Sequence, residues 1–205
     1  MRESGNPRGR FAQSINDIRE YSRIAGIAEI ARRYFAMNAF DGVLTTIGIL
    51  MGNYIGGVRS ASVVISVGLA TSISMGVSGL WGAYLTEAAE RQRDLAELEK
   101  ISLTDLGQTK IGRASRMAVV IVALVDGLAP FAAALIVLIP LFAAPLIGNI
   151  LVSYALSLAT ALVTLFGLGM FLGHISRRNL IGYGLRTVVA GIVSIALSFL
   201  LGGTE

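Results

Sequence analysis

The sequence predicts an all-α integral membrane protein that crosses the bilayer with five transmembrane helices. Of its 205 residues, 54% are hydrophobic and only 15% are charged, whereas soluble domains carry roughly 25% charged residues. The charges are also segregated, because the range 60–86 has none and the range 117–173 has a single one, Asp126. A transmembrane helix needs about 20 apolar residues, so these two runs accommodate one span and two spans.

The N-terminal 34 residues are predicted to stay on one surface of the membrane. They contain seven arginines and lack the apolar core of a signal peptide. Residues 1–13 are polar and are predicted to be disordered. In residues 14–34 apolar side chains recur at helical spacing. This pattern predicts an amphipathic helix, which either lies on the bilayer surface or packs on a cytoplasmic loop of the protein itself.

The remaining chain divides into two transmembrane hairpins and a fifth span. The spans are predicted at roughly 35–55, 62–86, 117–138, 148–173 and 181–201. Prolines and a glycine separate the third span from the fourth. Hairpin 1 covers 35–86, a charged helical loop covers 87–116, hairpin 2 covers 117–173, and a cytoplasmic turn with the fifth span covers 174–205. Arg186 lies near the start of the fifth span, where it can snorkel to the interface.

Lysine and arginine predict the orientation of the spans. Sixteen of the 17 fall in segments on one side, and only Arg59 lies on the other. The positive-inside rule places the basic side, with the N-terminus, in the cytoplasm and the C-terminus outside the cell membrane. The net charge of +4 is therefore explained by the loops and does not indicate a nucleic-acid partner. Cysteine is absent from the sequence, which excludes thiolate metal sites and a cysteine nucleophile.

An internal repeat supports the two hairpins. Asp41-Gly42 and Asp126-Gly127 are 85 residues apart, and Leu80-Trp81-Gly82 matches Leu165-Phe166-Gly167 at the same offset. Both hairpins would start and end in the cytoplasm. They are therefore predicted to be parallel repeats related by an axis along the membrane normal.

The two aspartates are the main candidates for function. An ionisable residue inside a span is costly and usually faces a partner or a water-filled path. Asp41 lies roughly 12 Å from the basic end of its helix and Asp126 roughly 15 Å, so the two are at similar depth. Carboxylates at one level could bind a divalent cation or exchange protons. Alternatively, each is a structural residue whose oxygens are satisfied by neighbours such as Asn38 and Thr45.

Further carboxylates follow the second span. Glu87, Glu90, Asp94 and Glu97 are spaced three, four and three residues apart, and therefore share one face of a helix. The stripe either collects divalent cations or is a solvated face with Arg91, Arg93 and Lys100 as counterions.

Two weaker motifs lie in the first and second spans. Gly48-x-x-x-Gly52 is a possible packing face, within a chain or across a dimer. Gly76-Val77-Ser78-Gly79 has the form that rhomboid-type intramembrane proteases use around their serine, with His174 as the candidate base. Ser78 should lie roughly 12 Å deeper than His174, so we expect a protein that is not an enzyme.

The segment 32–52, with Asp41-Gly42 before a Thr-rich, Gly-spaced helix, resembles the first span of the vacuolar iron transporter family. Ser74-Met75 is similar to its Ser-Met motif. Gln92-Arg93-Asp94 resembles its cytoplasmic metal-binding extension, and 191–202 its fifth span. The family usually has a glutamate eight residues before the methionine, where Val67 stands here, and Asp126 could supply that charge.

The resemblance implies a homodimeric exporter of iron(II) or manganese(II) that exchanges metal for protons along the dimer axis, with no resident cofactor. Asp41 and Met75 would be pathway ligands, and Glu87, Glu90, Asp94 and Glu97 would collect metal at the cytoplasmic side. A thioether suits such softer ions better than it suits magnesium. Asp126 is added as a ligand on its position alone. The alternatives are a non-transporting membrane scaffold and the serine protease.

Overall fold

A computed structural model describes residues 26–202, and every regular element in that range is a helix. The helices are α1 (Ile27–Ile55), α2 (Ala61–Ser102), α3 (Lys110–Phe142), α4 (Ala144–Ile147), α5 (Ile150–Ile175) and α6 (Leu180–Gly202). Five candidate spans are long and apolar enough to cross a membrane, the third of them running from Lys110 to Ile147. The predicted all-α fold class with five such helices is therefore confirmed. The tail at 1–13 and most of the predicted amphipathic helix lie outside the described residues.

Helix α1 shows no boundary at Tyr34, where the sequence predicted the surface helix to end. Gly26, with φ of +62°, precedes the helix, which then runs unbroken from Ile27 to Ile55. The sequence between Ile27 and Asp41 contains no glycine or proline, so nothing in it interrupts the backbone hydrogen bonds. The final residues of the predicted amphipathic segment therefore belong to the same helix as the first span.

Helix α2 is the longest element, with 42 residues and a length of about 63 Å. Its first part, up to Thr86, carries no charge, and the part from Glu87 onward is strongly charged. Leu103, with φ of +52°, ends the helix. The described chain divides into two compact units, one containing residues 26–34 and 80–125 and the other residues 35–79 and 126–202.

Helix α3 continues through two prolines. Pro130 and Pro140 both lie inside it, and it ends at Phe142, four residues beyond the predicted limit. Transmembrane helices tolerate proline because neighbouring groups can satisfy the freed backbone atoms. At the predicted break before the fourth span, the structure has the short helix α4, which ends at Gly148 with φ of +73°.

The core of the second unit holds α1 and α5 in antiparallel contact. Phe35 and Phe171 pack edge to face at 5.7 Å near one end of the pair, and Tyr54 and Tyr154 do the same at the other. The Tyr154 hydroxyl also donates to the carbonyl of Val58 over 3.0 Å. Fully buried side chains between the ends include Ile47, Leu50, Val137, Leu141 and Leu165.

Helix α6 packs on α5 through glycines. An added Cβ on Gly184 would lie 2.5 Å from the ring of Phe166, and one on Gly191 would lie 2.5 Å from Leu165. The hydroxyl of Thr187 donates to the carbonyl of Leu165 over 2.7 Å. These contacts make α5 and α6 an antiparallel helical hairpin. The parallel-repeat relationship between the two predicted hairpins stays a prediction.

Candidate functional site

Asp126 lies at a point where three helices of the second unit converge. Its carboxylate, on α3, is buried, with 6% of the residue exposed. The side-chain amide of Asn38, on α1, donates a hydrogen bond to Asp126 Oδ1. Gly79, on α2, is the third residue in contact. A Cβ on Gly79 would lie 3.1 Å from both Asp126 Oδ2 and the Asp126 carbonyl oxygen. Because Gly79 has no side chain, α2 can approach these two oxygen atoms of Asp126 closely.

Glycines in the same helices allow this close approach. A Cβ on Gly42 would lie 2.5 Å from the carbonyl oxygen of Pro130, so α1 and α3 touch backbone to backbone at that point. A Cβ on Gly76 would lie 3.0 Å from the carbonyl oxygen of Gly127. Small residues are what permit such contacts between transmembrane helices. The glycine of each Asp-Gly motif is thus at a helix contact.

Asp41 has a different environment from Asp126. It is exposed on the surface of the single chain, one turn beyond Asn38 on α1. Within residues 26–202 neither a hydrogen bond nor an ion pair joins it to another side chain. Asn38, which the sequence offered as a neighbour able to satisfy Asp41, instead bonds Asp126 across 88 positions of sequence. The hydrophobic pattern contains no signal for that pairing.

Met75 is partly buried on α2. It precedes Gly79 by four residues and therefore lies on nearly the same face of the helix. Val67, where the resemblance leads one to expect a glutamate, is 41% exposed. Asp126 lies beside Gly79 on α2, and Gly79 follows Val67 by twelve residues. Asp126 and Val67 are therefore about 18 Å apart along the axis of α2. Within one chain it does not occupy the place of the missing carboxylate.

The four carboxylates of the predicted acidic stripe are not equivalent. Glu87 is 5% exposed and pairs with Arg91, whose Nε lies 3.5 Å from Glu87 Oε2. Glu97 is largely exposed and pairs with Arg93 over 3.1 Å. Glu90 and Asp94 are exposed. The stripe therefore combines one ion pair with a buried carboxylate, one surface ion pair and two exposed carboxylates.

No group of three or more His, Asp or Glu side chains able to hold a metal ion occurs within residues 26–202. The protease pair is likewise not joined there: Ser78 is exposed on α2, His174 is exposed in the last turn of α5, and no hydrogen bond links them in the described part of the chain.

Comparison with known proteins supplies one clear relative. No family model matches the chain. The uncharacterized protein MJ0645 of Methanocaldococcus jannaschii is 30% identical over 172 residues, which cover 82% of this chain and 86% of the archaeal protein. The chain belongs to the same family as this archaeal protein. A match of that extent must include both Asp-Gly motifs, so the candidate site of the present chain lies inside the region that the two family members share.

Proposed function

We propose that the protein is a divalent-metal transporter that carries iron(II) or manganese(II) out of the cytoplasm in exchange for protons. The observation that carries this proposal is Asp126, a buried carboxylate in a protein with five helices able to cross a membrane. Ionisable residues at such depth are expensive, and they commonly mark ion pathways and proton relays. A carboxylate also suits exchange, because it can release a metal ion and take up a proton.

The groups around Asp126 have suitable ligand chemistry. The free side of the carboxylate, the Asp126 carbonyl and the amide oxygen of Asn38 are oxygen donors of the kind that manganese binds. Met75, one turn before Gly79 on α2, would add a thioether, which favours softer ions over magnesium. Gly79 allows the backbone of α2 to lie close to Oδ2.

The exposed face of α1 supports a homodimer. Five residues spaced four, four, three and four apart share that face, namely Met37, Asp41, Thr45, Gly48 and Gly52. A Cβ on Gly48 or Gly52 would meet nothing within 4 Å in the same chain. An aspartate facing lipid would be costly, whereas a second copy packed on this face would cover it. Two Asp41 carboxylates would then lie beside a pathway along the dimer axis.

The charge distribution supports the membrane orientation that the proposed export requires. Because 16 of the 17 lysines and arginines fall on the side of the N-terminus and the 87–116 loop, the positive-inside rule places that side in the cytoplasm. Glu90 and Asp94 are exposed on the extension of α2 and would attract cations there. Glu87 and Glu97, which have arginine partners, would contribute less.

The direct test is metal flux into liposomes that contain the purified full-length protein and a metal-sensitive dye. We expect Fe²⁺ or Mn²⁺ to move toward the acidic compartment when a pH gradient is imposed. Asp126→Asn and Asp41→Asn should each lower the initial rate by roughly 10- to 100-fold. Asp105→Asn, at an exposed carboxylate that accepts a hydrogen bond from Gly107 N, is the matched control and should transport normally. A wild-type protein that moves neither metal under any gradient contradicts the proposal.

The hydrogen bond between Asn38 and Asp126 favours a second candidate, a membrane scaffold in which the pair is a structural polar contact. The two functions differ in their response to metal, since a ligand that binds only the folded state raises its stability. A transporter should show a higher Tm in detergent when Mn²⁺ is added, and Asp126→Asn should remove that increase. A scaffold should show no increase. Ser78→Ala, which removes the serine of the protease alternative, should leave flux unchanged.

A further inference from the structure

A polar cavity of about 350 Å³ lies at the turn between α5 and α6. Its lining consists of Arg178, Asn179, Gly182, Tyr183 and Arg186. The two guanidinium groups are the only charged groups in this lining, and within residues 26–202 neither is part of an ion pair. The cavity therefore concentrates positive charge that the described part of the chain does not neutralise.

Arg186 occupies an unusual position for a charged residue. It lies six residues, or about 9 Å, into α6, and its guanidinium group sits over the ring of Tyr183 at 5.4 Å from the centroid. Val189 and Val193 continue the same face of the helix and are 57% and 48% exposed. An arginine that borders such an apolar face loses hydration in a bilayer, and a nearby anion offsets that loss.

We propose that this cavity binds the headgroup of an anionic phospholipid, with the acyl chains lying along the exposed apolar face of α6. Guanidinium groups bind phosphate through paired, charge-assisted hydrogen bonds. Basic pockets beside transmembrane helices are known to select anionic headgroups, and tyrosine is typical of the headgroup level. The exposed side chains of Ile181, Leu185 and Val189 supply the apolar surface for the chains. The cavity thus matches both halves of a phospholipid.

Arg59 provides a comparison within the same unit. It also lies over a tyrosine, Tyr54, at 5.4 Å, but at the α1–α2 turn. Tyr154, near the start of α5, bonds the adjacent Val58, so this turn is about 30 Å from the α5–α6 turn along α5. Arg59 Nη1 donates to the carbonyls of Tyr54 and Val58 over 3.3 and 3.5 Å. A single arginine that is already bonded to the backbone should not select anionic lipid.

The experiment is native mass spectrometry of the full-length protein in neutral detergent with equal amounts of phosphatidylglycerol and phosphatidylcholine. We expect the wild type to retain phosphatidylglycerol preferentially. Arg178→Gln and Arg186→Gln should each reduce that preference by about fivefold, and the double variant by more. Arg59→Gln should keep the wild-type preference. Millimolar inorganic phosphate should not displace the lipid, because it lacks the acyl chains.

Three outcomes would overturn the proposal: equal retention of both lipids by the wild type, an equal loss in Arg59→Gln, or displacement of the lipid by inorganic phosphate, which would make the site one for free phosphate. If the double variant does not fold, the two single variants decide the question. The measurement contains no metal and no pH gradient, so its result is independent of the proposed transport.

Discussion

Asp41-Gly42 and Asp126-Gly127 are the same two-residue sequence within apolar helices, yet their side chains meet different surroundings. The first aspartate is exposed on α1. The second is buried on α3 and accepts a hydrogen bond from Asn38. Both glycines lie at helix contacts: a Cβ on Gly42 would meet the backbone at Pro130, and the carbonyl of Gly127 lies where a Cβ on Gly76 would come within 3.0 Å.

The comparison separates two roles within one motif. Glycine allows a neighbouring helix to approach closely. The preceding aspartate points about 100° around the helix from that contact, so its environment depends on whether another helix occupies that direction. For Asp126 that place is taken by α1 and α2, whereas for Asp41 it is open. Both copies of the motif thus lie at a helix contact, but only the second copy has a buried carboxylate.

The largest expected effect concerns the helix contact at the first motif. Gly42→Ala would place a methyl group 2.5 Å from the Pro130 carbonyl oxygen, so the helices must separate. We expect the free energy of unfolding to fall by about 1–3 kcal/mol, measured by thermal unfolding in detergent. Gly167→Ala, at an exposed helical glycine where a Cβ meets nothing within 4 Å, is the matched control. Equal Tm values for the two variants would show that the α1–α3 contact is absent.

An intermediate effect is expected for the polar pair at the second motif. In a double-mutant cycle, Asn38→Ala and Asp126→Ala should couple by about 0.6–1.7 kcal/mol, which spans the average and the maximum for hydrogen bonds between transmembrane helices. The cycle of Asn38→Ala with Asp41→Ala should give a coupling energy within about 0.5 kcal/mol of zero, as for residues without a shared contact. Denaturant unfolding in mixed micelles would measure both cycles. If Asn38 coupled to Asp41 and not to Asp126, Asp41 would be its hydrogen-bond partner and the contact with Asp126 would be wrong.

The smallest expected effect is on the exposed aspartate. Asp41→Asn should change the free energy of unfolding of the monomeric protein by no more than about 0.5 kcal/mol, as is usual for exposed positions. The same variant should lose metal flux under the transport proposal. A large loss of stability would mean that Asp41, like Asp126, is held by a contact.

Much of the fold could be predicted from the sequence because charge-free runs of sufficient length allow few structures. The runs 60–86 and 117–173 gave three helices, and the break at Gly148 followed from its left-handed backbone. The limits of α1 and α3 were less well predicted. Gly26 rather than Tyr34 marks the start of α1, and Pro140 does not end α3, because packing on neighbouring helices can satisfy the backbone around a proline.

The candidate site could be predicted only in part. Asp126 was found because a lone charge in an apolar run is conspicuous. Its partner Asn38 was not assigned, since a pairing across 88 positions depends on how three helices pack. The acidic stripe on α2 followed from helical periodicity, but the burial of Glu87 against the exposure of Glu90 depends on what covers each side of the helix. Asp41 stays a candidate whose role depends on a second copy.

Pro130 has a further consequence for position 126. In a regular α-helix the peptide nitrogen at 130 would donate to the carbonyl of residue 126, but proline has no N–H to give. The peptide oxygen of Asp126 therefore lacks its helical donor, and it lies beside the vacant side-chain position of Gly79. Position 126 thus presents two acceptors of different kinds, one acidic and one a permanent dipole. Pro130, one turn later, leaves the Asp126 carbonyl without its helical donor. Replacing the Asp126 carboxylate alone would therefore leave this polar carbonyl in place.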